Sequence, residues 1–215
     1  MNHINSFYLR LITWIILSLI LLFFMYSPVY FNLFIILVLL EILIFEWKNF
    51  FKITDLKFWF IMPFYPILPF ILILSLNTPV YKILLVVSII LAFSFDTGAY
   101  ITGKLIGKHK IAPKISPAKT WEGVFGGYLF CLLTLSFIFW FFNKPFSLFI
   151  AWFTLIISAL AFFGDLFESY LKRKAGIKDS GNLLPGHGGF LDRFDSVLFI
   201  TTFCYICRDF LIKYL

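Results

Sequence analysis

Charge is scarce in this chain: Asp, Glu, Lys and Arg make up 13% of 215 residues, against 61% hydrophobic and 22% aromatic. That shortage excludes a soluble domain, because a chain of this size has too little polar surface to cover so much apolar mass. Period-2 alternation is absent from the apolar runs, which excludes a membrane β-barrel and leaves helices that satisfy their own backbone. No internal repeat and no low-complexity segment stands out beyond a taste for Phe and Ile, which suits a lipid-facing surface. The loops lack a folded nucleic-acid reading module, so no nucleic-acid partner is expected. No small-residue cleavage site follows the first apolar run, which reads as an uncleaved span and not a signal peptide. Of the three cysteines, Cys131 is alone in an apolar run and Cys204 and Cys207 form a CxxC pair inside another. All three read as small packing residues, since a redox or metal pair needs solvent access.

What the chain has in abundance is apolar runs near the ~20 residues that cross a bilayer. Seven are expected: Leu9 to Met25, Val29 to Phe45, Phe58 to Leu76, Ile83 to Ile101, Val124 to Phe142, Leu148 to Phe167 and Phe194 to Leu211. The expected fold class is therefore all-α, a polytopic integral membrane helical bundle of about seven transmembrane helices. Fourteen of the 18 Lys and Arg residues fall on one side of that arrangement. The positive-inside rule then predicts a cytoplasmic N-terminus and a basic cytoplasmic rim suited to anionic head groups or a phosphorylated substrate.

Two regions differ in texture. Residues 1–82 are nearly featureless, with Glu41 the one acidic residue noted inside a run, and read as N-terminal scaffold. Residues 83–215 carry polar residues into the spans and two long charged loops, 102–123 and 169–195, and read as the catalytic core.

The second loop concentrates the chemistry. Asp165, Glu168 and Ser169 share a helix face at the end of the sixth run, and an acid at a membrane edge is a functional candidate by default. Lys172, Arg173, Lys174, Lys178 and Asp179 follow, then Gly186, His187, Gly188, Gly189, Asp192, Arg193 and Asp195. Glycines flanking a histidine permit close backbone approach and leave amides open to phosphate oxygens. Asp192 and Asp195, with Asp165, form an all-oxygen set of the kind Mg²⁺ prefers. The first loop, with Asp96 ahead of it and Ser116, Lys119, Thr120 and Glu122 within it, suits a polyphosphate without Walker spacing. His187 is a candidate for catalysis or for orienting a phosphate.

These residues resemble a known family. The stretch Ser169, Leu171, Lys172, Arg173, Lys178, Asp179, Gly181, Leu184, Pro185, Gly186, His187, Gly188, Gly189, Phe190, Asp192, Arg193, Phe194 and Asp195 looks like the signature of the phosphatidate cytidylyltransferases, also called CDP-diglyceride synthetases. Ser116, Pro117, Lys119, Thr120, Glu122, Gly123, Gly126 and Gly127 are similar to the family's upstream block. The resemblance covers about residues 83 to 215, and because many relatives have further spans ahead of this core, the chain resembles a short form.

The resemblance implies an integral enzyme of the bacterial cell membrane that condenses CTP with phosphatidic acid, releasing pyrophosphate and leaving CDP-diacylglycerol. It implies Mg²⁺ dependence, with a second metal ion an option, metal-centre carboxylates matching Asp165 and Asp192, and a homodimer. Combined with the residue chemistry, the expected metal ligands are Asp165, Asp192 and Asp195, with Lys172, Arg173 and His187 beside them as catalytic residues. The expected substrate contacts are Asp96, Ser116, Lys119, Thr120, Glu122, Ser169, Lys178, Asp179, Gly186, Gly188, Gly189 and Arg193. The nearest competing readings are a CTP-dependent lipid kinase and an archaeal-type cytidylyltransferase for ether lipids. A transporter of a phosphorylated anion fits less well, because charge gathers at one face and no inverted repeat is visible.

Overall fold

The computed structural model describes residues 26–183 and 188–215. The expected first span, Leu9 to Met25, with Arg10 ahead of it, lies outside these residues, as do Leu184, Pro185, Gly186 and His187. Among the described residues five helical stretches are long and apolar enough to cross a membrane: Pro28–Phe50, Leu56–Leu76, Lys82–Ile106, Trp121–Phe141 and Leu148–Lys174. The chain is a polytopic membrane protein, mostly helical. Each stretch contains one of the expected runs or overlaps it closely, and three of them reach well past the expected cytoplasmic ends. The expected seventh span is broken: a 16-residue helix, Leu191–Ile206, stops at Cys207 (φ −98, ψ 13) before a last turn, Arg208–Leu211.

The chain divides into two compact units. Of the described residues, the first takes those within Met1–Thr78 and Leu171–Phe194, the second those within Pro79–Tyr170 and Asp195–Leu215.

In the first unit, α1 (Pro28–Glu41) opens on a proline, whose missing N–H costs nothing at a first turn, and runs through a π-helical turn (Ile42–Glu46) into α2 (Trp47–Phe50). α3 (Leu56–Ile61) meets α4 (Leu68–Leu76) through a second π-helical turn, Pro63–Ile67. Tyr65 is extended there (φ −151, ψ 109), because Pro66 disfavours helical geometry in the residue before it. Trp47 is fully buried among Phe50, Phe51, Phe58 and Tyr65, and its indole N–H donates to the Phe58 carbonyl at 3.3 Å. Asn77, past the end of α4, donates to the Pro28 carbonyl at 3.0 Å and to Asn32 Oδ1 at 2.8 Å, tying α4 to the start of α1.

The second unit is built around α5 (Lys82–Ile106) and α6 (Trp121–Phe141), joined by an antiparallel hairpin of β1 (Lys110–Ala112) and β2 (Ser116–Thr120). Lipid offers helices no hydrophobic reason to associate, so they pair where small residues allow close approach. The seam runs through Gly98, Gly126 and Gly127: a methyl group on Gly98 would lie 2.6 Å from Phe130 Cβ, and one on Gly127 would lie 2.6 Å from the Phe95 ring. α7 (Leu148–Lys174) and α8 (Leu191–Ile206) complete the long helices, and α9 is the short Arg208–Leu211 turn. α7 ends where Gly176 takes a left-handed φ of 72°, with Ile177 N–H returning to the Lys172 carbonyl at 3.0 Å, a common glycine stop.

The seam makes a direct prediction. Gly98→Ala should lower stability by about 1–3 kcal/mol, the usual cost of overpacking a close contact, and should lower the thermal unfolding midpoint in detergent. An unchanged midpoint would contradict this account of the α5–α6 pairing.

Candidate functional site

The expected site residues gather into two groups, one in each unit. In the second unit the cytoplasmic-side loop of the sequence reading is shorter than expected, since α5 runs on to Ile106 and β2 leads straight into α6. Thr120 is the N-cap of α6: its hydroxyl accepts from Gly123 N–H at 3.1 Å and the residue is buried. Glu122, in the first turn of α6, accepts from His109 Nδ1 at 2.6 Å and from the backbone N–H of Lys108 at 3.1 Å, anchoring the near end of the hairpin. These two residues have structural work visible in the fold. Ser116 opens β2 opposite Ala112 and is half-buried.

Lys119, one residue from the end of β2, pairs with Asp165 of α7 and lies over the Phe162 ring, 5.2 Å from its centroid. Ser169, one turn further along α7, donates to Asp165 Oδ1 at 3.3 Å. Asp195 and Ser196 are buried on α8, where Ser196 Oγ lies 3.3 Å from Asp96 Oδ1 and 3.3 Å from Asp195 Oδ1. Asp195, Asp165 and Lys119 are the charged groups whose fields reach Asp96. α8 comes this close because Gly164 faces it: a methyl group there would meet the Asp195 carbonyl at 2.6 Å. Asp96, Lys119, Asp165, Ser169 and Asp195 therefore form one charged neighbourhood, from four elements of the second unit.

In the first unit Asp192 is the centre. Lys172 Nζ donates to its Oδ1 at 2.6 Å, while Oδ2 accepts from Ser180 N–H and Gly189 N–H, each at 2.9 Å, and lies 3.0 Å from Ser180 Oγ. Burial pushes this carboxyl upward, but the Lys172 ammonium and the two amides outweigh that and hold it below the usual range. Gly188 has φ +82°, and a Cβ there would lie 2.4 Å from Asp192 Oδ2, so glycine is required both by backbone and by space. Arg173 Nη1 donates to the Ile177 carbonyl at 3.0 Å. Lys178, Asp179 and Arg193 are exposed. Gly186 and His187 lie outside the described residues.

Sequence reasoning missed Glu46 and Ser180. Glu46 is 1% exposed, at the end of the π-helical turn of what was read as scaffold. Its Oε1 accepts from Phe190 N–H at 2.6 Å; its Oε2 accepts from Leu191 N–H at 3.0 Å and from Ser180 Oγ at 2.7 Å. The one available signal was an acid closing an apolar run.

Among the described residues no three His, Cys, Asp or Glu side chains meet the geometry of a metal-binding group. Each unit carries carboxylate oxygens, the ligand type Mg²⁺ takes, Asp192 in the first and Asp165 and Asp195 in the second, and Asp165 and Asp192 each already hold a cationic ammonium.

Comparison with known proteins agrees in kind. Residues 2–211 match the family described as "Cytidylyltransferase family". Relatives named "Phosphatidate cytidylyltransferase" include one from Staphylococcus haemolyticus, 54% identical over 109 residues, covering 49% of this chain and 41% of the relative. One from Bacillus subtilis is 46% identical over 117 residues, covering 54% and 44%. One from Staphylococcus aureus strain COL is 52% identical over 109 residues, covering 49% and 41%. The chain thus spans less than half the length of these curated relatives.

The Asp192 cluster carries a pH prediction. Its folded carboxyl titrates below the unfolded value of about 3.9, so its stabilisation is present above that pH and is lost as pH falls through the lower, folded value. Wild type should exceed Asp192→Asn in stability by roughly 3 kcal/mol near neutrality. The gap, read from chemical unfolding in detergent, should close below about pH 3.9; a gap that stays constant into acid would contradict the ion pair.

Proposed function

The chain belongs to the cytidylyltransferase family, and we propose that it joins CTP to phosphatidic acid, forming CDP-diacylglycerol and pyrophosphate for phospholipid synthesis. The observation that carries this reading is the family match along residues 2–211, supported by the relatives' printed names. The charged groups described above supply the chemistry it requires.

A phosphate monoester has a second pKa near 6, so the lipid's phosphate is largely dianionic at neutral pH and needs no strong base to become a nucleophile. One of its oxygens bonds to the α-phosphorus of CTP, the bond from that phosphorus to the bridging oxygen breaks, and pyrophosphate leaves with the electron pair. The obstacle is electrostatic, since an anion must approach a phosphoryl group already flanked by negative oxygens.

In this reading Asp165, Asp192 and Asp195 are the Mg²⁺ ligands, on donor chemistry and family membership. Bound Mg²⁺ would neutralise and align the triphosphate. Lys119 moves from Asp165 to a nucleotide phosphate, and Lys172 from Asp192 likewise, each ammonium exchanging one anionic partner for another. Arg173, Lys178 and Arg193 clamp phosphates of CTP or lipid, and Asp96 with Ser116 and Ser169 completes the nucleotide side. Thr120 and Glu122 contribute by holding the hairpin that presents Lys119. Asp179, Gly188 and Gly189 shape the loop for close approach of phosphate, with Gly186 and His187 assigned to the same loop. Phosphatidate reaches the site sideways from the bilayer, its acyl chains remaining in lipid. The basic loops orient the site toward the cytoplasm, with a cytoplasmic N-terminus, and a homodimer is the family expectation.

The test is to incubate the purified chain with phosphatidate, Mg²⁺ and CTP labelled at its α-phosphate. Label should enter lipid as pyrophosphate appears. Release of CDP with phosphorylation of a lipid alcohol would make the chain a kinase instead, and no turnover by folded protein would overturn the reading. Asp165→Asn should reduce turnover by more than about 100-fold, beyond what losing an outer-shell partner of a metal costs, and full activity in that variant would remove Asp165 from the site.

A further inference from the structure

Glu46 is a costly residue to place where it is. A carboxylate 1% exposed, toward the end of an apolar membrane helix, has lost its hydration and must be supplied with donors in its place. The fold supplies three from one distant segment, the N–H groups of Phe190 and Leu191 and the hydroxyl of Ser180, beside a side-chain hydrogen bond shared with Glu41 on its own helix. All three lie 134 to 145 positions away in the chain, in the segment that leads into α8. The two amides belong to the residue before α8 and to its first residue, where a helix leaves N–H groups unpaired and favours negative charge.

The surroundings are cleared for this carboxylate. A methyl group on Gly189 would lie 2.3 Å from Glu46 Oε1 and 2.2 Å from Ser180 Oγ, and one on Gly181 would lie 3.1 Å from Glu46 Cγ. Ser180 links the acid to the proposed chemistry, because its hydroxyl lies 2.7 Å from Glu46 Oε2 and 3.0 Å from Asp192 Oδ2. One hydroxyl proton satisfies one carboxylate at a time, so the position of Glu46 bears directly on how Asp192 is held. Asn49, one turn beyond Glu46, donates to the Ser180 carbonyl at 2.8 Å and fixes the same residue from its other side.

We propose that Glu46 is a positioning residue for the reaction: from the N-terminal membrane helix it fixes the backbone at Phe190 and Leu191 and the hydroxyl of Ser180, and so aims Asp192. This role rests on the functional reading above. It also assigns residues 1–82 a share in the site, where the sequence showed only scaffold.

The experiment uses the full chain in detergent, with Glu46→Ala, Glu46→Gln and Ser180→Ala, and two readouts. The first is turnover per folded molecule, with KM for phosphatidate measured separately; the second is amide hydrogen exchange of the peptide containing residues 189–192. Losing buried charged hydrogen bonds should cost Glu46→Ala about 100-fold in kcat, with KM for phosphatidate unchanged within about twofold and faster exchange at residues 190 and 191. Gln keeps one acceptor oxygen and can donate to Ser180 Oγ, so Glu46→Gln should recover part of that loss and fall by about 10-fold.

Normal kcat per folded molecule in Glu46→Ala, even with a lower yield of folded protein, would overturn the role. Should Glu46→Ala fail to fold, Ser180→Ala decides: a fall of about 10-fold in kcat supports the link to Asp192, and an unchanged kcat refutes it. A wild-type chain that puts no label into lipid overturns the functional reading itself, a result distinguishable from active wild type with an indifferent Glu46.

Discussion

The constraint on which everything else rests is the cost of charge beside lipid. An ion near the bilayer core must be hydrated, paired or surrounded by donors, and this chain has few ionisable groups to arrange. Its carboxylates at the proposed site obey that rule in three ways. Asp165 and Asp192 each take a lysine ammonium, Asp192 and Glu46 each take two backbone amides, and Asp96 takes the hydroxyl of Ser196. Lysine suits a substrate that must come and go, because an ammonium on a flexible stem can trade one oxygen for another without losing a rigid fork of bonds.

The glycines serve the same constraint from the side of the backbone. Amides can reach a carboxylate only where no side chain intervenes, and Gly188 and Gly189 keep that approach open at the entrance to α8. Gly164 performs a comparable service further along, where α7 meets the Asp195 carbonyl. The phenylalanines divide between the two environments: Phe31, Phe70 and Phe95 are buried in the core, and Phe60, Phe137 and Phe141 lie on the outer surface.

Much of this was legible beforehand. Long apolar runs are the strongest signal a membrane chain emits, and five of the expected spans have helical counterparts among the described residues. Their ends were less legible: Lys172, Arg173 and Lys174 read as loop yet form the last turn of α7, because lysine and arginine are good helix formers once a helix has left the lipid. The hairpin of β1 and β2 escaped notice because strands of three and five residues are too short to show alternation. The grouping of Asp165 with Lys119 spans 46 positions, and nothing local in either segment reports it. Glu46 was hidden for the same reason, with the amides and hydroxyl that donate to it over a hundred positions distant.

The π-helical turn Ile42–Glu46 has a bearing on how this helix tolerates change. Such a turn is closed by an i→i+5 hydrogen bond and holds one residue more than an ordinary turn, yet it brings the chain round by about the same full rotation. Removing one residue ahead of Glu46 within it would let the backbone close as a regular turn and leave Glu46 on nearly the same face. A deletion in the regular turns of α1 has no such slack and would swing Glu46 by about 100°, off its amides. The helix should therefore tolerate a change of length in this one turn and nowhere else along α1.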